Sequence, residues 1–170
     1  MDNRQIYLTG FMGTGKSTVS RCLHEVYGLE QIEMDEEIAR KEGMSIPDIF
    51  REKGEAYFRE LETDFLRRLA GRKNVVISCG GGTVMRQCNV DLMKKQGRII
   101  LLTAAPETVY ERVRDCHNRP LLEGNMNVAY IRELMEVRRP KYEAAADISV
   151  RTDGRSAEAI CREIMKKAEE

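Results

Sequence analysis

Gly10-Phe11-Met12-Gly13-Thr14-Gly15-Lys16-Ser17 is the stretch that decides the fold. It matches GxxxxGK[ST] in full, with a strand-like run, Gln5 to Thr9, before it. Val19, Cys22, Leu23 and Val26 follow at helical spacing up to Gly28. Strand, glycine-rich loop and helix in that order build a cradle for phosphate. The glycines let backbone N–H groups converge on phosphate oxygens, and the helix start adds positive potential. Lys16 is placed to reach the β- and γ-phosphates and the Ser17 hydroxyl to ligate Mg²⁺. An ordinary glycine turn explains neither the Lys-Ser pair nor the flanking elements.

Beyond this unit the pattern repeats without a sequence repeat. The apolar segment Ile32 to Met34 leads to Asp35 and a helix-like stretch ending at Gly43. Ser45, with Asp48 three residues on, reads as a helix cap, and Gly54 separates that helix from a longer one, Glu55 to Leu69. Val75 to Ile77 and Ile99 to Leu102 are short, fully apolar strands, with Gly80, Gly81 and Gly82 and a helix around Val90 to Gln96 between them. Pro106 opens a helix to Arg114, a further helix runs through Val137, Ile148 to Val150 is a strand, and the last helix starts at Ser156. Strands without polar alternation are covered on both faces, so the fold class is α/β, three layers around a central parallel sheet. No linker or repeat divides residues 1–170, which reads as one domain. The polar stretch Asp115 to Asn127 has the length of a mobile flap.

Composition narrows the chemistry. In 170 residues, 42% hydrophobic and 33% charged, Lys plus Arg and Asp plus Glu total 28 each. Zero net charge gives no basic excess to displace counterions, which argues against nucleic acid. Apolar residues that are plentiful but broken up by charge along the whole length exclude both disorder and membrane spanning. Five cysteines without a CxxC pair read as reduced thiols, and the N-terminus lacks the pattern of a secretory signal, so a cytoplasmic protein is expected. His24 and His117 have no base-orienting partner in view.

A nucleotide site of this type needs a carboxylate near Mg²⁺ at the end of a neighbouring strand. Glu33 and Asp35 fill that place, two apart and on one side of an extended chain, with Asp153 a distant third. Neither NKxD nor DxxG occurs, which removes the GTPase switches and favours an adenine nucleotide with a small acceptor.

The strings GFMGTGKST, EMDEEI, GEAYFRELE, CGGGTV, NRPLL and RRPKYEAAAD occur in the order and spacing of the shikimate kinases. The chain resembles that family over essentially its whole length. The resemblance implies a P-loop kinase fold like that of the nucleoside monophosphate kinases, with a lid over roughly residues 112–125. It also implies transfer of the ATP γ-phosphoryl group to the 3-hydroxyl of shikimate, in aromatic amino-acid biosynthesis, with Mg²⁺ as cofactor. On that pattern Gly13, Thr14, Gly15, Lys16, Ser17 and Thr18 hold the ATP phosphates, and Asp35 holds and polarises the acceptor hydroxyl. Arg59 and Arg138 grip the shikimate carboxylate, with Gly80, Gly81 and Gly82 beside the ring. Arg119 reaches the phosphates from the lid, and Arg112 and Arg155 lie on the adenine side. Lys16, Asp35 and Arg119 form the catalytic set, and the protein is expected to be a monomer. Glu33 departs from the family's more usual Asp at the water-mediated Mg²⁺ contact, and the segment Asp153 to Ala157 lacks a proline often found there.

Read without the resemblance, several of these residues keep a second meaning. Arg59 stands at helical spacing from Glu55 and Glu62, which equally suits surface ion pairs; Arg138 beside Arg139 and Lys141 equally suits a basic helix end. Two arginine forks are nevertheless the side chains that hold a carboxylate in a fixed orientation. A kinase for another polyol acid such as gluconate, and a regulatory module that binds ATP but transfers nothing, remain the alternatives.

Overall fold

A computed structural model describes residues 5–114 and 126–170. Five strands, β1 (Gln5–Thr9), β2 (Glu30–Glu33), β3 (Val75–Ser78), β4 (Gly97–Thr103) and β5 (Ile148–Arg151), form one sheet in the order β2-β3-β1-β4-β5. Every pairing is parallel, with Tyr7 of β1 in register with Ile77 and Ile99 on either side. The eight α-helices of the described residues are α1 (Lys16–Tyr27), α2 (Met34–Glu42), α3 (Ile46–Lys53), α4 (Glu55–Arg68), α5 (Gln87–Gln96), α6 (Pro106–Val113), α7 (Val128–Ala145) and α8 (Ala157–Glu169). The expected α/β class with a parallel sheet is what the chain adopts.

The unbroken apolar strands are explained by two cores. Side chains alternate across a strand, so Ile6 and Leu8, Val76, Ile100 and Leu102 face the layer of α1 and α8. Tyr7, Val75 and Ile77, Ile99 and Leu101 face the opposite layer, where α2 to α7 pack. Both faces of the central strands β1 and β3 are fully buried, whereas the edge strands β2 and β5 are partly exposed.

Local signals set most helix ends. Gly28 and Gly43 close α1 and α2 in the left-handed conformation, and Ser45, Asn127 and Ser156 cap α3, α7 and α8 through their side-chain oxygens. Two boundaries differ from the sequence reading. The apolar run Ile32 to Met34 predicts a strand ending at Met34, but Met34 opens α2, and α7 runs past Pro140 to Ala145. An interior proline costs roughly 3 kcal/mol; burial of Ile131, Tyr142 and Ala145 on α7 offsets it. No helix among the described residues is long and apolar enough to cross a membrane.

The strand order reverses at β1, which has β3 on one side and β4 on the other, and ligands of open parallel sheets bind at the carboxyl ends of the strands at such a reversal. The glycine-rich loop leaves β1 there.

Candidate active site

Gly15, in a left-handed conformation (φ 101°), precedes helix α1, which starts without a side-chain cap and with no acidic residue in its first turn. The first N–H groups of such a helix remain available and its positive end is not neutralised, which suits an anion. The loop ahead of it is tightly built. Gly10 has φ 139°, and a Cβ there would run into the Leu102 carbonyl; at Gly13 a Cβ would sit 2.8 Å from Val113. Thr14 Oγ1 donates to the Phe11 carbonyl at 2.8 Å, and Lys16 Nζ donates to the carbonyls of Gly10 at 2.7 Å and Phe11 at 3.1 Å. The ammonium is therefore parked at the mouth of the loop, on the side where phosphates would enter.

Glu33 ends β2 and Asp35 lies in the first turn of α2, so the chain turns helical between them. This corrects the expectation that they share one side of an extended strand. Glu33 faces α1, where Ser17 Oγ donates to Oε2 at 3.0 Å and Ser20 Oγ to Oε1 at 2.8 Å. Asp35 faces the glycine triplet instead: a Cβ on Gly80 would lie 3.1 Å from Asp35 Oδ1. Asp153 is not part of this set. Its Oδ1 accepts from the Ala105 N–H at 2.9 Å, at the start of α6, and Oδ2 from Arg151 at 3.0 Å. Partial burial pushes its carboxyl up, but hydrogen bonds from Thr108, the Ala105 N–H and Arg151 outweigh this and bring it down to about 2.

Gly80, Gly81 and Gly82 need to be small because three charged groups close in on them. A Cβ on Gly80 would sit 3.0 Å from Glu62 Oε2, on Gly81 3.3 Å from Arg138 Nη1, and on Gly82 2.6 Å from Arg59 Nη1. The atoms pressing on these glycines are the chain's own side chains. Tyr142, on α7, donates its hydroxyl to the Gly81 carbonyl and hydrogen-bonds Arg138, fixing that guanidinium beside the triplet.

Arg59 pairs with Glu62 at 2.6 Å and with Glu55 at 3.2 Å, yet this is no surface pair. The Glu62 side chain has no solvent exposure. Thr83 Oγ1 donates to its Oε2 at 2.5 Å. Burial pushes the Glu62 carboxyl up against the pull of Arg59 and Thr83, and the nearby Asp35 carboxylate adds to the rise. Burial disfavours the charged Arg59 guanidinium, but Glu62 and Glu55 overcome this and hold it firmly protonated. The sequence reading missed Glu62 as a functional residue. Its signal was the i,i+3 spacing from Arg59, which does not distinguish a buried anchor from a solvated pair.

Arg112 Nη1 donates to the Gly13 carbonyl at 3.0 Å and to Thr152 Oγ1 at 3.3 Å; Thr152 in turn donates to the Thr14 carbonyl at 2.8 Å. Arg155 is held on α8 by Glu163 at 2.7 Å. Apart from Asp153, the candidate residues that fall among the described residues line one open cleft of about 1110 Å³, together with an apolar wall that includes Ile46, Pro47, Phe50 and Phe58. Arg119 and most of the expected lid, residues 115–125, lie outside the described residues, as do Cys116 and His117. Cys22, Cys79 and Cys161 are buried thiols and Cys88 is an exposed one.

For Mg²⁺ the fit is favourable. Ser17 Oγ and the Glu33 carboxylate supply oxygen donors only, at the loop that would hold phosphates, and Mg²⁺ is characteristically held by one or two such protein ligands plus phosphates and water. Among the described residues no cluster of three or more His, Cys, Asp or Glu forms a metal cage.

A family model described as shikimate kinase matches residues 12–169. The chain belongs to the shikimate kinase family. A shikimate kinase of Persephonella marina is 47% identical over 162 residues, covering 95% of this chain and 97% of that protein. The solved shikimate kinase of Acinetobacter baumannii, in complex with shikimate, superposes with a TM-score of 0.91 at 36% identity, over 98% of this chain and 93% of its own. A gluconokinase of Sinorhizobium meliloti shares the fold at 23% identity, with a TM-score of 0.61 over 98% of this chain and 94% of its own. That likeness concerns architecture alone. Shikimate kinases are ATP-dependent phosphotransferases, and this chain is one by family.

Proposed function

We propose that this shikimate kinase transfers the γ-phosphoryl group of ATP to the 3-hydroxyl of shikimate, yielding 3-phosphoshikimate and ADP, with each cleft residue in the role the family pattern assigns it. The observation that carries the reading is the placement of two guanidinium groups, Arg59 and Arg138, against Gly82 and Gly81, in the same cleft as the phosphate loop and Asp35. The acceptor is a carbocyclic acid with hydroxyl groups. Its carboxylate suits the two forks and its ring suits the apolar wall at Phe50 and Phe58.

The position of each group in the cleft supports the following roles. Gly13 to Thr18 and the start of α1 bind the phosphates, and Lys16 exchanges loop carbonyls for β- and γ-phosphate oxygens. Arg112 and Arg155 flank the nucleotide end of the cleft. Asp35 accepts a hydrogen bond from the acceptor hydroxyl and aims its oxygen at the γ-phosphorus. The new O–P bond forms as the bond from phosphorus to the β–γ bridging oxygen breaks, and the hydroxyl proton passes to Asp35. The transition state is loose and the oxygen needs little activation, so orientation outweighs basicity. Ser17, and Glu33 through water, would hold Mg²⁺, which would supply neutralisation of the phosphate charge. Arg119 keeps its place in this scheme from the sequence pattern alone. The protein is proposed to act in the cytoplasm as a monomer.

The test is a coupled assay of ADP release with shikimate, gluconate or no acceptor. Shikimate alone is expected to stimulate release. Stimulation by gluconate instead, or ATP binding with no acceptor dependence, overturns the reading.

A further inference from the structure

Glu33 is gripped from two elements at once. Ser17 donates to Oε2 at 3.0 Å, whereas Oε1 receives two bonds, from Ser20 Oγ at 2.8 Å and from Gln31 Nε2 at 3.0 Å. Gln31 Nε2 also donates to Ser20 Oγ at 2.9 Å, so both of its N–H groups are spent here. The placement follows from two periodicities: Gln31 and Glu33 are two apart on β2 and face α1, and Ser17 and Ser20 are three apart on one face of α1. Gln31 is also out of character for its surroundings. Its register partner on β3 is Val76, which belongs to the apolar layer under α1 and α8. An amide beside that layer costs desolvation unless its donors are satisfied, and here they are satisfied by the clamp around Glu33.

We infer that Gln31, seconded by Ser20, is a positioning residue for this reaction: it holds the Glu33 carboxylate by Oε1 so that Oε2 is presented to Ser17 and to the divalent cation that enters with the nucleotide. The inference rests on the proposed reading of Ser17 and Glu33 as the metal side of the kinase site. It also accounts for the chain's departure from Asp. Glutamate brings one more methylene and one more rotatable bond, which a lone hydrogen bond to Ser17 leaves loose. Two bonds to the other oxygen remove that freedom. A shorter carboxylate at the same backbone position would not span to Gln31, and would not need it. Hydrogen-bonded partners behind a metal-binding carboxylate are a recurrent device for orienting it.

The experiment is a double-mutant cycle of Gln31→Leu and Glu33→Asp in the full chain, read as Mn²⁺ binding to the ADP complex by electron paramagnetic resonance, without shikimate. Gln31→Leu is expected to weaken Mn²⁺ about tenfold in the Glu33 chain, and to leave metal-free ADP affinity unchanged. In the Glu33→Asp chain the same change is expected to alter Mn²⁺ binding less than about twofold, because the coupled partner is gone. Equal losses in both backgrounds, no loss in either, or an ADP complex that binds no Mn²⁺ overturns the inference. If Gln31→Leu does not fold, Ser20→Ala completes the same cycle and is decided by the same comparison. A parent chain that binds Mn²⁺ through this clamp but ignores shikimate supports the inference and overturns the proposed acceptor, so the two failures are distinguishable.

Discussion

Lys16, the proposed catalytic lysine, is held by its own loop. Its ammonium donates to the loop carbonyls of Gly10 and Phe11, which are backbone groups of the same loop. Lys16→Met is therefore expected to fold normally and to lose phosphoryl transfer by about 10³-fold, the scale of removing one charge-stabilising donor from a transition state. Circular dichroism and the coupled assay together check both halves. Gly82 makes the complementary case, because a Cβ there would lie 2.6 Å from Arg59 Nη1, the movable end of a flexible side chain. Gly82→Ala should barely change the melting temperature while pushing the guanidinium off its position. Arg59→Lys keeps the charge and loses the fork. Both variants are expected to lower kcat/KM for shikimate about 10- to 100-fold, the worth of a charge-assisted contact of roughly 1.5–3 kcal/mol, with ATP affinity nearly intact. Wild-type kinetics in both would return Arg59 to the status of an ion-pair residue.

At the level of elements, a half-buried carboxylate does for α6 what a side-chain cap does elsewhere. Asp153, beyond β5, accepts from the Ala105 N–H at the entrance to α6 and from Arg151, and its carboxyl is lowered from 3.8 to about 2. A group with a depressed folded-state value stabilises fully above its unfolded value and loses that contribution as pH falls toward the folded one. Asp153→Asn should therefore lower the melting temperature at pH 7 by about 2–4 °C, and the gap to the parent should close between about pH 4 and pH 2. A gap independent of pH would mean that shape, and not charge, is what Asp153 supplies. Helix α7 shows the opposite economy: it carries Pro140 in its interior because Tyr142 beyond it must reach the Gly81 carbonyl and Arg138.

At the scale of the whole molecule, the residues proposed to bind nucleotide and acceptor gather at one end of the sheet. Phosphate loop, Glu33 and Asp35, the glycine triplet and Thr152 all lie just beyond the carboxyl ends of β1, β2, β3 and β5. Anything bound there stabilises the parallel sheet that converges on it. At a ligand concentration about 100 times its dissociation constant, the gain is about 2.7 kcal/mol, and for a chain of this size the melting temperature should rise by roughly 5–11 °C. Mg²⁺ with ADP and shikimate should each raise it in differential scanning fluorimetry. Arg138→Lys should retain the nucleotide shift and lose most of the shikimate shift. Loss of both shifts would place Arg138 in the fold's support and not in acceptor recognition.

The sequence by itself determined whatever depends on neighbours within a turn or two. The GxxxxGK[ST] string between strand and helix, the caps at Ser45 and Ser156, the stops at Gly28 and Gly43 and the fully apolar strands all act locally, so the α/β class and the phosphate loop were legible. The acceptor side was legible as a residue list carried by family strings, but its geometry was not. Spacing placed Glu62 beside Arg59 and gave no hint that its carboxylate is sealed from water. It placed Glu33 and Asp35 on one side of a strand, whereas the start of α2 at Met34 turns them to different partners. Which charged group presses on which glycine, and that Gln31 meets Ser20 across two elements, depends on parallel pairing between strands far apart in the chain. Burial and long-range register are properties of the packed sheet, and only the tertiary structure decides them.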